Sequence, residues 1–169
     1  MGMAYLLLGS NLGDKVGYLE QAKEQIQQQA GKVITVSPYY ETAPWGGDQL
    51  SPFVNFSIAL QTNLSPLALL HILLKIEAKL GRQRTKEEKA GYTDRTVDID
   101  ILLYDDLVLD SAELVLPHPR LHLRRFALVP LLDISNGLIH PLLGESIEAL
   151  LKKCPDSLLV TKKGCNSKK

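Results

Sequence analysis

FVNFSIALQTNLSPLALLHILLKIEAKLG, residues 53–81, decides the fold of this 169-residue chain. Its opening alternates. Val54, Phe56, Ile58 and Leu60 fall on one side, and Phe53, Asn55, Ser57, Ala59 and Gln61 on the other, the period of a strand with two unlike faces. Ser65 then Pro66 ends the alternation: a side-chain cap is followed by a residue whose fixed φ suits the first helical position. A strongly apolar helix runs from there to about Leu80, and Gly81 stops it.

Upstream, AYLLLG reads as a first strand leading into the loop GSNLGD. Asp14 caps a helix whose apolar positions Val16, Leu19, Ala22, Ile26 and Ala30 recur at helical spacing, and Gly31 ends it. KVITVSPYYET is β-branched and aromatic, a strand in which Pro38 predicts an edge or a bulge. APWGGDQLSP is loop.

Downstream of the charged loop RQRTKEEKAGYTD lies a further strand, RTVDIDILLY, residues 95–104. Asp105-Asp106 then forms a turn, with LVLD as the hairpin partner of that strand. LRRFALVPLLDI is helical up to Pro130 or slightly past it, SIEALLKK is a short late helix, and the end of the chain frays. The order β α β β α β β α predicts an α+β fold, a ferredoxin-like α/β/α sandwich with a mainly antiparallel sheet. One domain is expected over residues 1–160, with a flexible tail over 161–169.

Composition narrows the function. Lysine plus arginine equals aspartate plus glutamate, 19 each, so no global field draws in nucleic acid or an anionic membrane. LALLHILL is too short to span a bilayer, and the first residues carry no basic, cleavable leader. Cys154 and Cys165 lack metal-ligand spacing and read as free thiols of a cytoplasmic protein.

The aspartate strand raises the chemical question. Asp98 and Asp100 point the same way, while Val97, Ile99, Ile101 and Leu103 are expected on the core side. Two carboxylates roughly 7 Å apart on one face repel by about 2 kcal/mol at an effective dielectric near 20. A hard divalent cation such as Mg²⁺ reverses that sign. Arg82, Arg84 and Arg95 occupy the adjoining loop, and acids for a metal beside arginines for uncovered oxygens suit phosphoryl transfer. No GxxxxGK[ST] is present, and GSNLGD lacks the dinucleotide-binding glycine spacing, so any ATP is held by another architecture.

Six pieces in register, GSNLGD, YETAPWG with FVN, IEAKLGRQR, DRTVDIDILLY, LPHPRLHLRRFALVPL and the opening AYLLLGSN, resemble the 6-hydroxymethyl-7,8-dihydropterin pyrophosphokinases of folate biosynthesis over roughly the first 135 residues. The resemblance implies a monomeric enzyme that transfers pyrophosphate from ATP to the pterin hydroxymethyl and releases AMP. By position, it implies that Asp98 and Asp100 hold two Mg²⁺ ions and that Arg82 and Arg95 stabilise the transferring group, with Arg84 beside them. Glu77 is placed against the nucleotide ribose, and His118 and Arg124 along the triphosphate. Thr42, Ala43 and Trp45 form the loop against the pterin, Asn55 pairs with its edge, and Phe53 and Phe126 sandwich its ring. The chain departs from the family pattern in the loop before the aspartates, which has no tryptophan, and at Pro119, where an aromatic residue is common.

Physical chemistry supports the slot independently. A flat, hydrogen-bonding heterocycle wants two aromatic faces and an amide that both donates and accepts. Two other readings use the same residues: a metal-dependent phosphohydrolase or nucleotidyltransferase, which needs a further carboxylate on a neighbouring strand, and a non-catalytic ligand-binding domain, which needs no acids beside arginines.

Overall fold

The computed structural model describes residues 1–43, 51–81, 96–135 and 137–164. At its centre is the long alternating strand, β4 (Phe53–Thr62), with β1 (Gly2–Ser10) antiparallel along one edge. On the other edge lie β2 (Lys32–Val36), opposite Gln61 to Ile58, and β3 (Tyr40–Thr42), opposite Asn55 to Phe53. The stretch expected as one strand is thus two, divided at Ser37-Pro38-Tyr39. Pro38 has no N–H to give a ladder, and Ser37 bridges the break by exchanging bonds with Ser57: Ser37 N–H donates to its carbonyl and Ser37 Oγ accepts its N–H, both at 2.9 Å.

The aspartate strand, β5 (Asp98–Tyr104), pairs antiparallel with the free edge of β1. Its expected hairpin partner pairs elsewhere: β6 (Leu109–Asp110) joins β7 (Val115–Leu116) in a separate two-stranded ribbon. Asp105 ends β5 first, taking up the left-handed conformation at φ 48°. Its N–H donates to the Met3 carbonyl at 2.8 Å and its carboxylate accepts the Met3 N–H at 2.9 Å, which turns the chain away from the sheet. At the far side, β8 (Val160–Lys162) pairs with β3, so the sheet takes in Thr161 and Lys162, residues expected to be tail. The strand order is β5-β1-β4-β3-β8, with β2 also on β4.

Helices cover both faces. On one, α1 (Lys15–Gln29) and α2 (Pro66–Lys79) pack on Ala4, Leu6, Leu8, Val54, Phe56, Ile58 and Leu60. Both begin as their caps predict, with the Asp14 carboxylate accepting from Gly17 N–H at 3.1 Å and Ser65 Oγ from Ala68 N–H at 3.2 Å. On the other face, α3 (Arg125–Ile134) and α4 (Ile147–Lys152) pack on Leu7, Leu102 and Leu103. Pro130 sits inside α3 and withholds the N–H that would reach the Phe126 carbonyl. The helix continues to Ile134 because Ala127, Leu128 and Leu131 are buried, and tertiary packing outweighs one lost bond.

Strict alternation in β5 fails at one point. Leu6 pairs with Ile101 but Tyr5 pairs with Leu103, leaving Leu102 as an extra residue. The bulge brings Leu103 to the α3 side with Leu102, while Ile99 and Ile101 stay with α1 and α2. Asp98 and Asp100, before the bulge, keep their shared face.

Candidate active site

Register places the candidate residues in rows across the sheet. Asp98 lies opposite Gly9, Gly9 opposite Asn55, and Asn55 opposite Tyr40. The next row runs from Asp100 through Leu7 to Ser57. Directly opposed residues share a face, and Leu7 packs with the α3 core, so both rows face α3. Between this floor and α3 opens a cleft enclosing about 450 Å³ of empty space, its open mouth included. Thr42, Ala43, Phe53 and Asn55 line one end, Asp98 and Asp100 the other, Arg124 and Phe126 the helix side, with Leu7 and Gly9 beneath.

At the first end, Asn55 and Thr42 are both buried, and Asn55 Nδ2 donates to Thr42 Oγ1 at 2.8 Å. That bond fixes the amide and directs Oδ1 toward Gly9. A Cβ on Gly9 would stand 2.3 Å from Asn55 Oδ1 and 3.5 Å from the Phe53 ring. Glycine in the strand is therefore a clearance for the amide and the aromatic wall. Where β4 begins, Asn11 Nδ2 donates to the Ser51 carbonyl and Lys15 Nζ to the Pro52 carbonyl, both at 3.0 Å, which ties the approach to Phe53 to the GSN loop.

At the second end, Asp98 and Asp100 are half-buried. Arg124 is buried, with its guanidinium 5.6 Å from the Phe126 ring centre, a cation–π placement that keeps a charge on the helix side. His118 does not line the cleft, but its charge environment includes Asp98 and Arg124. Burial lowers its pKa to about 4, with the Arg124 and Arg120 cations adding to the effect and Asp98 opposing it. Its Nδ1 accepts Arg120 N–H at 3.1 Å, so the neutral ring carries its proton on Nε2.

The two carboxylates suit Mg²⁺, which is bound by one or two protein carboxylates and completes its shell with water and substrate phosphate. Among the described residues no cluster of three or more His, Cys, Asp or Glu side chains forms a cage of its own. Hard oxygen donors in that number match a metal shared with a phosphate ligand.

The structure thus brings together Thr42, Ala43, Phe53, Asn55, Asp98, Asp100, Arg124 and Phe126. Glu77, expected against a ribose, stands apart from the cleft: it is 2% exposed and accepts Ile99 N–H at 2.7 Å. Its helix position turns it under the sheet, toward edge strand β5. Arg82, Arg84, Arg95 and Trp45 lie outside the described residues. Leu7 and Gly9 were not foreseen as cleft residues. Gly9 had a signal, a glycine where a strand is still running; Leu7 had none beyond its register with Asp100.

A three-layer α/β domain with an aromatic, amide-bearing slot beside paired carboxylates belongs among the enzymes that act on a small heterocycle and a phosphate donor. The chain belongs to the family described as 7,8-dihydro-6-hydroxymethylpterin-pyrophosphokinase, whose model matches residues 5–136. It is 45% identical over 143 residues to the 2-amino-4-hydroxy-6-hydroxymethyldihydropteridine pyrophosphokinase of Porphyromonas gingivalis, covering 83% of this chain and 95% of that one. It is 41% identical over 135 residues to the Bacillus subtilis protein of the same name, covering 79% and 78%. The fold resembles that of a Plasmodium falciparum HPPK-DHPS chain, with a TM-score of 0.73 at 18% identity over 90% of this chain and 43% of that longer one. Among the described residues no helix is long and apolar enough to cross a membrane.

Proposed function

We propose that this pyrophosphokinase transfers the β,γ-pyrophosphoryl group of ATP to 6-hydroxymethyl-7,8-dihydropterin, as a cytoplasmic monomer in folate synthesis. One observation carries the reading: Asn55 and Asp98 both oppose Gly9, from its two sides, on one face of the sheet. Two strand spacings, roughly 10 Å, separate them. A bicyclic ring held at Asn55 therefore presents a one-carbon arm toward the carboxylates.

In the reaction the pterin hydroxyl oxygen bonds to the β-phosphorus and loses its proton. The bond from that phosphorus to the α–β bridging oxygen breaks, and AMP leaves with the oxygen. Phe53 and Phe126 take the ring faces, and Asn55, with Oδ1 and one N–H beyond its Thr42 bond, reads the ring edge. Asp98 and Asp100 hold two Mg²⁺ ions, which when bound neutralise phosphate oxygens and acidify the hydroxyl. Arg124 adds a fixed cation, and His118 offers the Nε2 proton as a neutral donor. Arg82 and Arg95, with Arg84 and Trp45, are assigned their roles by family position. Alignment and charge neutralisation, more than a strong base, lower this barrier.

The phosphohydrolase alternative needs another acid on the neighbouring strand. The β1 positions facing Asp98 and Asp100 are Gly9 and Leu7, which supply none. Incubation with ATP, Mg²⁺ and the hydroxymethyl dihydropterin separates the readings. AMP formed only with pterin present is expected. Phosphate release without pterin indicates the phosphohydrolase, and binding without turnover indicates a non-catalytic domain.

A further inference from the structure

Tyr40 occupies the sheet row that crosses the cleft floor, directly opposite Asn55 and two residues from Thr42 on the same face. It is buried, yet it is not a lining residue. Its phenol reaches away from the cleft and donates to the Asp133 carboxylate, in the last turn of α3. Burial, then the bond to Asp133 and that residue's charge, raise the phenol's pKa, so it remains a donor throughout the working range.

Asp133 follows Phe126 by seven residues, two helical turns, so the two lie on one face of α3 roughly 10 Å apart. Between them Pro130 has removed a backbone bond, leaving the helix more dependent on outside contacts for its line. One end of this face carries an aromatic wall of the cleft. The other is bonded to a residue of the cleft floor.

We propose that the Tyr40–Asp133 hydrogen bond is a strut that sets the tilt of α3 over the sheet, and with it the gap between Phe126 and Phe53 that admits the heterocycle. Tyr40 and Asp133 are then positioning residues for the pterin slot, an assignment whose ligand rests on the function proposed above. The carboxylates of the cleft lie on β5, which the strut does not touch, so the nucleotide half shares with α3 only Arg124, at the helix start, and should feel the strut less than the pterin half.

The test measures 6-hydroxymethyl-7,8-dihydropterin affinity, ATP affinity and melting temperature in Tyr40→Phe, Asp133→Ala, the double variant and Asp133→Asn. Tyr40→Phe keeps the ring and loses only the hydroxyl. Pterin affinity should fall about three- to tenfold in both single variants, the worth of one such bond, with a smaller loss of ATP affinity through Arg124. The double variant should be no weaker than either single, because both remove the same bond. Asp133→Asn, which still presents an oxygen acceptor, should recover most of the loss. Unchanged pterin affinity in a folded Tyr40→Phe, or equal loss for both ligands, overturns the strut. A ligand-free crystal structure of Tyr40→Phe decides the matter independently of the substrate: a wider or skewed Phe53–Phe126 gap supports the strut, and an unchanged gap overturns it even if the pterin assignment holds. Absence of pterin turnover by the wild-type chain counts against the assigned reaction and leaves this structural comparison standing.

Discussion

Gly9 and Asn55 face one another across β1 and β4, and a side chain as small as a methyl on Gly9 would press to 2.3 Å from the Asn55 amide oxygen. The amide is not free to yield, since Thr42 holds its nitrogen and it is almost fully buried. Gly9→Ala should fold and bind ATP while losing pterin affinity on the order of tenfold, from displacement of an amide that makes more than one bond. Isothermal titration with each ligand checks this. Equal affinity for pterin in Gly9→Ala would show that Asn55 is not a fixed reader of the ring.

Asp98 and Asp100 repel one another across their shared face by about 2 kcal/mol at an effective dielectric near 20. Asp98→Ala, at a half-buried strand position, should still fold and melt cooperatively without Mg²⁺. Its turnover should drop on the order of a thousandfold, the scale of lost charge stabilisation at the transferring group. Melting curves and initial rates at ordinary Mg²⁺ make the comparison. Full activity in Asp98→Ala would remove the metal assignment.

Much of this site could be read before the fold was known because strand alternation is a one-dimensional rule. Phe53 with Asn55, and Asp98 with Asp100, were each assigned to one face from spacing alone, and the structure places both pairs on the cleft side. Leu103 escaped that rule because a bulge is set by pairing with β1, which the local sequence does not encode. LVLD does not pair with β5 as its place after the turn predicts, because the turn at Asp105 is fixed by bonds to Met3, 102 residues away. Glu77 shows a further limit: helical spacing places it on α2 but does not tell that it accepts Ile99 N–H on β5, a contact set by how the helix packs on the sheet. Tyr40 and Asp133 carry no motif; they meet because a strand edge and a helix end converge.

Acid should destabilise the protein through His140. The ring is 3% exposed, and its Nδ1 accepts N–H bonds from Leu142 at 3.3 Å and Leu143 at 3.1 Å. Burial chiefly, then the neighbouring His122, lowers its pKa, with its backbone bond and Glu145 opposing. Below about 6.5 the unfolded chain then takes up a proton that the folded ring resists, so stability falls as pH drops toward the folded value and is regained on return to neutrality. His118, lowered to about 4, contributes with the same sign. His140→Asn keeps an oxygen acceptor near the two N–H groups and removes the titration. Urea unfolding between pH 5 and pH 7 should give it a shallower dependence than the wild type; identical slopes would exclude His140 as a source.

Glu77 offers a choice between two roles that leave different kinetic traces. Its carboxylate bonds Ile99 N–H, one residue from each aspartate, so it should fix the end of edge strand β5 and thereby the spacing of Asp98 and Asp100. Glu77→Ala leaves that N–H unsatisfied in a buried setting and should cost about 2 kcal/mol of stability. It should also raise the Mg²⁺ concentration needed for half-maximal rate. Glu77→Gln retains an oxygen that can accept the same N–H, so it should restore most of the Mg²⁺ response and much of the stability. A direct ribose contact predicts the reverse ordering of effects: a raised KM for ATP in both variants, with the Mg²⁺ requirement unmoved. Rates measured over a grid of ATP and Mg²⁺ concentrations separate the two, and a KM-only effect would assign Glu77 to the nucleotide instead of the strand.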